Sequence, residues 1–410
     1  MSFVLFFIYL GISCWLITKI KFITNTKLGH RTIIILFLLR LIVGLINGYI
    51  SLYYYPRSDT YTFQLHGLEE YDLLLNAPRQ YFTNWFTYDY HNSNVLWNNL
   101  SKMLMIKMMS VFDIFSRGNF FINIIFYNFL AFFGPVAFYR IFINLFPGQK
   151  KMLLIGLFFL PSLLYFSTAI HKDGLIFLGL GICCYHLFYM MREGASIKRI
   201  LCLFIGFSIL LLLRNFVLIT LIPAMTAWLI AEKNRKFAFP VFTIVYLFFI
   251  ILFFNARRLH PALDLPKYVS TRQIAFVEIA NKSQSAVNVN SLYPTFSSFL
   301  TSFPQALNHS LIRPYITETT TLLYIPAAIE IIIYEILLLI FLLFRRDQKP
   351  DPFIYFGIFF SLSMFLMIGY TIPILGAIVR YRSIYFPFLV IPILCYIDWN
   401  KVKATIHLKK

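Results

Sequence analysis

The stretch FSTAIHKDGLIFL, residues 166–178, sets His171, Lys172 and Asp173 side by side between two apolar runs. An ammonium and an imidazole in such a place suit an anionic headgroup. The plainer alternative is a solvated hairpin turn in which Asp173 caps the following helix and Gly174 eases the bend. LLLLRNFVLITLIP has the same character, since Arg214 parts two apolar runs with only Asn215 as a polar neighbour. Its guanidinium either snorkels to the interface or lines a wet cavity suited to phosphate. In GAIVRYRSIYFP, Arg380 and Arg382 flank Tyr381. On a helix, positions i and i+2 diverge. In an extended turn they share a side, and two guanidinium forks there grip the oxygens of a diphosphate. The alternative is a pair of interfacial anchors.

Three further groups have the chemistry to take part. YYYPRSDTYTFQLHG places Arg57 and Asp59 after a turn at Pro56. Asp59 is either a surface-loop acid or a base for an acceptor hydroxyl. The nearby EEYD, with Glu69, Glu70 and Asp72, reads as solvated. In FPQALNHSLIRPYITE, His309 and Arg313 are four apart and share a helix face, and Pro314 ends that helix. They read equally as a site or as a juxtamembrane anchor. Arg40 and Glu330 lie deeper in apolar sequence, as partners inside a bundle.

What must position these groups is a set of membrane-length helices. The chain has 410 residues, 59% hydrophobic and only 13% charged, with 47 Phe. Soluble domains carry roughly 25% charged residues. Runs of roughly 15 to 22 residues with almost no charge suffice to cross about 30 Å of hydrocarbon as helices. They are too long for barrel strands, so the fold class is an all-α polytopic membrane protein. About eleven spans are expected, near 2–18, 32–52, 119–141, 152–169, 174–191, 200–214, 216–231, 238–254, 321–343, 353–372 and 384–397. The whole of 1–410 is expected to form a single integral membrane domain.

Orientation follows from the basic loops. KIKFITNTKLGHR, PGQKK, REGASIKR, EKNRK, RRDQKPD and NKVKATIHLKK are short and rich in Lys and Arg, which assigns them to the cytoplasm. The N-terminus is then outside and the C-terminus inside. Two long segments, 53–118 and 255–320, fall on the outer side. NWFTYDYHNSNVLWNNL and SKMLMIKMMSVFDIF in the first suit helices lying flat at the interface.

Several classes are excluded. The net charge of +19 is dispersed over short loops, a topology signal and not a nucleic-acid groove. No P-loop, HExxH, GxSxG or paired DxD occurs, and no motif demands a cofactor or a metal. Cys14, Cys183, Cys184, Cys202 and Cys395 all lie in apolar runs, as small buried hydrophobes. MSFVLFFIYLG lacks a positive n-region and a cleavage site, so it reads as a retained first span. No paired broken helices of the inverted-repeat kind are visible.

At least ten arginines fall on the expected outer side. Their natural ligand is a lipid-linked phosphate or diphosphate, tail among the spans and headgroup against Arg and His. Glycosyl transfer fits, because preplaced cations stabilise a leaving diphosphate while a base takes the acceptor proton. In layout, and in SDTYTFQLHG, PSLLYFSTAIHKDGL, LLRNF, LNHSLIRPY and VRYRSIYFP, the chain resembles bacterial O-antigen and exopolysaccharide polymerases of the Wzy-type and EpsG-like families. The resemblance implies a GT-C-like bundle in a bacterial cytoplasmic (inner) membrane. It also implies metal-free joining of undecaprenyl-diphosphate-linked repeat units at the outer face, with a chain-length regulator as a possible partner. Carried over, Arg57, Lys172, Arg214, Arg313, Arg380 and Arg382 bind substrate, and Asp59, His171 or His309 handles the proton. Two rivals remain open. A GT-C-type transferase adds one sugar from a polyprenyl-phosphate donor, and Asp59 suits it. A lipid-linked-glycan transporter calls for charges spread through the bundle, against the clustering at the outer ends.

Overall fold

The computed structural model describes residues 2–55, 58–85, 96–283, 285–318 and 324–407. The chain runs through helices α1 (Ser2–Lys19), α2 (Lys21–Thr24), α3 (His30–Tyr53), α4 (Asp59–Asn76), α5 (Pro78–Thr83), α6 (Leu96–Ser116) and α7 (Phe120–Ala131). Next come α8 (Phe133–Leu145), α9 (Lys150–Phe158), α10 (Pro161–Thr168), α11 (Lys172–Glu193), α12 (Ile197–Arg214), α13 (Phe216–Lys233) and α14 (Ala238–Asn255). The last seven are α15 (Leu265–Ala280), α16 (Phe296–Leu307), α17 (Ile325–Phe344), α18 (Pro352–Thr371), α19 (Leu375–Ser383), α20 (Pro387–Tyr396) and α21 (Trp399–His407). Helix starts follow local chemistry. The side chains of Ser58, Asn119, Ser196, Asp264, Thr295 and Asp351 each accept a first-turn backbone N–H.

Among the described residues eight helices are long and apolar enough to cross a bilayer, or ten if each of two bent pairs counts as one span. This is a helical membrane-type protein. The pairs are α9 with α10, bent by 53°, and α19 with α20, bent by 60°. Each second helix opens on a proline, Pro161 or Pro387. Proline starts a helix readily but strains one that runs through it, because it lacks the N–H and its ring crowds the preceding turn. The expected unbroken span 152–169 is therefore broken just before Pro161. The expected segment 200–214 lies in α12, which carries Lys198, Arg199 and Arg214.

The chain divides into two units, Met1–Asn144 with Leu164–Leu218 and Leu145–Leu163 with Ile219–Lys410. In the first, α11 packs on α12, α4 on α6, and α1 and α3 on α7. The α4–α6 contact departs from the flat interfacial helix expected for SKMLMIKMMSVFDIF. Met103, Met105, Ile106, Lys107, Met109 and Asp113 are all buried. Glu70, expected in solvent, is also buried, because Lys107 holds it: Nζ is 2.6 Å from Glu70 Oε2 and 2.7 Å from Asn84 Oδ1. The same ammonium lies 3.6 Å from the Tyr81 ring centroid. A second network on α6 centres on Asp113, which accepts from Asn123 Nδ2 at 2.6 Å and Gln64 Nε2 at 3.2 Å. Burial pushes this carboxyl above its usual range, with its hydrogen bonds opposing. Of NWFTYDYHNSNVLWNNL, residues 86–95 lie outside the described residues.

In the second unit α18 is central and touches α14, α15, α16, α19 and α20, while α20 also packs on α9 and α17. Trp228 is fully buried against Phe353 and Phe356. The α16–α18 approach depends on Gly369, where a Cβ would collide with the Ala306 backbone. Gln273 of α15 ties the loop that follows: it donates to the Asn290 and Tyr370 carbonyls at 3.0 and 2.8 Å and accepts from Leu292 N at 2.8 Å.

Candidate functional site

Ionisable side chains gather at helix breaks in each unit. In the first, α10 ends at Thr168 and α11 begins at Lys172, which leaves His171 extended at the N-cap (φ −127°, ψ 160°). The His171 side chain makes no capping bond. Its buried ring lies on Thr60, with Oγ1 3.3 Å from Nδ1 and 3.2 Å from Nε2. Thr60 is the second residue of α4, beside exposed Asp59. Tyr127 donates to the His171 carbonyl, and half-buried Lys172 donates to Ser101 Oγ on α6.

Asp173 and Gly174 correct their expected roles. Asp173 is not the cap, since it lies inside the first turn of α11. Its carboxylate is fully buried, with Oδ1 2.9 Å from Arg214 Nη2. Gly174 does not ease a turn, because it too is helical. A Cβ there would collide with the Tyr127 hydroxyl and the Ser167 carbonyl, so the residue serves a close approach. Arg214 sits at the C-terminal end of α12, turned inward with its side chain 6% exposed. Arg40 of α3 donates to Ser167 Oγ and to the Ser167 carbonyl, each at 3.1 Å. That puts a cation at the last turn of α10, where helix carbonyls lack intrahelical partners.

In the second unit α16 runs into one π-type turn, Asn308–Ile312, closed by Arg313 N donating to the Asn308 carbonyl at 3.2 Å. The regular helix expected for His309 and Arg313 is thus replaced by a wider turn, a feature frequent at functional sites. His309 is 1% exposed, and its Nδ1 has no hydrogen-bond partner among the described residues. Burial, and then the neighbouring Arg313 guanidinium, push the imidazole down to about 4. Arg313 Nε lies 3.2 Å from Glu318 Oε1, with its side chain 20% exposed.

Of the two arrangements left open, Arg380 and Arg382 take the helical one, on α19, and their side chains diverge. Arg382 is buried; its Nη1 donates to the Ser310 carbonyl at 2.9 Å and to the Arg313 carbonyl. Arg380 is half-buried, 5.8 Å from the Tyr381 ring centroid. A two-fork clamp made by this pair alone is therefore absent. α16 also lines an apolar cavity of about 570 Å³ whose walls include Phe253, Phe299, Leu300, Phe303 and Tyr370.

Among the residues expected at a site, the structure brings together His171, Lys172 and Arg214 in the first unit, with Thr60 next to Asp59. In the second it brings together His309, Arg313 and Arg382, with Arg380 on the same helix as Arg382. Arg57 lies outside the described residues. Sequence reasoning missed the Asp173–Arg214 pair, although an acid and an arginine interrupting successive apolar runs were a usable signal. It also missed Thr60 and Ser101, whose hydroxyls carry no such mark. Among the described residues, no group of three or more His, Cys, Asp and Glu side chains is placed to hold a metal ion.

A pH effect follows from His309. The unfolded imidazole titrates near 6.5 and the folded one near 4, so protons bind the unfolded chain more tightly. Stability is full above about pH 6.5 and falls as pH drops toward about 4. In detergent-solubilised protein, His309→Gln is expected to flatten that fall in the thermal midpoint; an unchanged slope would remove His309 as its source.

No family model, no curated protein and no solved structure matches this chain.

Proposed function

We propose that the chain is a membrane glycosyltransferase that joins polyprenyl-diphosphate-linked oligosaccharide repeat units at the outer face of a bacterial cytoplasmic membrane. The observation that carries this reading is the gathering of His309, Arg313 and Arg382 at one wide helical turn, with Arg380 on the helix braced against it. A cationic corner next to a neutral imidazole suits a reaction whose leaving group is a diphosphate.

The roles follow from exposure. Arg313 and Arg380, only partly buried, offer guanidinium forks to the diphosphate oxygens. Arg382, spent on backbone carbonyls, braces the turn. The acceptor hydroxyl attacks the anomeric carbon, the bond from that carbon to the diphosphate oxygen breaks, and polyprenyl diphosphate departs. The hydroxyl proton passes to His309, which is neutral before the reaction. Approach of the diphosphate charge raises the affinity of that imidazole for the proton. The prenyl tail takes the apolar cavity beside α16. The first unit's Lys172, with His171 and Asp59 nearby, offers a second place for a phosphate-bearing substrate, and Arg214 with Asp173 shapes it.

Reconstitution tests the proposal. The purified chain in liposomes, given a polyprenyl-diphosphate-linked oligosaccharide, is expected to yield a mass ladder spaced by one repeat unit. A shift of a single sugar from a polyprenyl-phosphate donor assigns the chain to the single-sugar transferases. Movement of the lipid-linked glycan across the bilayer without covalent change assigns it to the transporters. Either result overturns the polymerase reading.

A further inference from the structure

Glu330 is the sixth residue of the membrane-length helix α17, one of two carboxylates in it, and is only 4% exposed. Charge at such a depth is costly, and its partners show what it does. Oε2 accepts from Ser162 N at 3.1 Å, and Oε1 accepts from Ser162 Oγ at 3.1 Å. Tyr334, one turn along α17, donates its hydroxyl to Oε1. Ser162 is the second residue of α10, so the carboxylate sits at a helix N-terminus just past the break at Pro161. The same tyrosine leads to a cation: the Tyr334 and Phe386 ring centroids are 4.8 Å apart, and the Arg382 guanidinium lies 5.3 Å from the Phe386 ring, so its charge and that of Glu330 act on each other. Arg382 in turn donates to the carbonyls of Ser310 and Arg313, the two ends of the segment that follows His309.

We infer that Glu330 is the positioning residue of the second unit: its charge holds the Arg382 guanidinium inside the helices, and Arg382 thereby fixes the turn that carries His309 and Arg313. The physical reason is balance. A buried guanidinium bonded only to carbonyls retains a full uncompensated charge, and without a carboxylate nearby it is drawn toward water or toward an anionic ligand. With Glu330 ionised, Arg382 stays with the backbone, and the ligand-facing work is left to Arg313 and Arg380. This division of labour rests on the function proposed above, but the placement of Ser162, Glu330, Tyr334, Phe386 and Arg382 next to the turn does not.

The test therefore uses two readouts. The first, independent of glycosyl transfer, is the rate at which diethyl pyrocarbonate modifies His309, located by peptide mass in the intact detergent-purified chain. Glu330→Gln keeps the shape and removes the charge, and is expected to speed His309 modification at least tenfold in a chain that still unfolds cooperatively. Arg382→Gln is expected to do the same, and the double variant to add nothing further, because the two act in series. The second readout is kinetic: Glu330→Gln is expected to raise KM for the lipid diphosphate more than it lowers kcat.

A folded Glu330→Gln chain with wild-type protection of His309 overturns the inference, and so does an additive double variant. If Glu330→Gln fails to fold, Glu330→Asp decides. Recovery of fold and His309 protection by the shorter carboxylate supports the inference, and failure of both variants overturns it. Absence of any transfer by the wild-type chain defeats the proposed function and leaves the His309 readout standing.

Discussion

Asp173→Asn is expected to lower the stability of the folded chain by about 3–5 kcal/mol, the usual cost of removing one member of a buried ion pair. The size of the effect turns on burial. Exposed ion pairs contribute about 0–1 kcal/mol, since water and salt screen them. Here the two side chains are 0% and 6% exposed with 2.9 Å between charged atoms, so that screening is absent. Asparagine keeps the shape and leaves the Arg214 guanidinium buried without its counter-charge. Arg214→Leu is expected to cost a comparable amount by stranding Asp173 instead. The double variant Asp173→Asn with Arg214→Leu is expected to lose much less than the sum, because neither charge is left alone. Thermal unfolding of the four proteins in one detergent measures the coupling. Additive losses would show that the two groups act separately and that the contact contributes little. For function, an Arg214→Ala chain that stops making polymer is not by itself evidence of phosphate binding, because the same change weakens the hairpin tip.

On the polymerase function proposed above, Arg380→Ala is expected to reduce glycan chain growth by about 10²–10³-fold, the range found when one preplaced donor to a developing oxyanion is removed. Membrane insertion and thermal midpoint should stay near wild type, since Arg380 is only half-buried. Arg380→Lys retains the charge and loses the planar fork, so an intermediate rate is expected. Arg382→Ala, in contrast, should impair both chain growth and stability, because that guanidinium ties α19 to the Ser310 and Arg313 carbonyls. Length distributions of the polymer, normalised to protein in the membrane, distinguish these outcomes. A normal ladder in Arg380→Ala removes that residue from the site.

How far the chain could be read in one dimension depends on the range of the forces involved. Helix positions were legible where long apolar runs set them, as at 353–372 for α18, because that signal acts along the chain itself. The breaks were legible as residues but not as geometry. Pro161 is visible in the sequence, yet whether a proline kinks a span or divides it depends on what satisfies the freed backbone, in this case the Glu330 carboxylate on Ser162 N. At Arg380 and Arg382, periodicity left helix and extended turn both open. Packing of α19 against α18 and the 308–312 turn decided for the helix.

Sequence alone determined that this is a helical, membrane-type chain, and which few charged residues interrupt its apolar runs. Hydrocarbon demands long uncharged helices with every backbone group bonded internally, and that demand is written along the chain itself. Tertiary structure decided what those charges do: Arg214 answers Asp173, Lys107 answers Glu70, and Arg382 turns to the Ser310 and Arg313 carbonyls. A buried charge is settled by whichever partner the fold brings within a few ångströms, and the partners of Arg382 lie up to 72 positions away, at the Ser310 carbonyl, a distance over which no local pattern carries information.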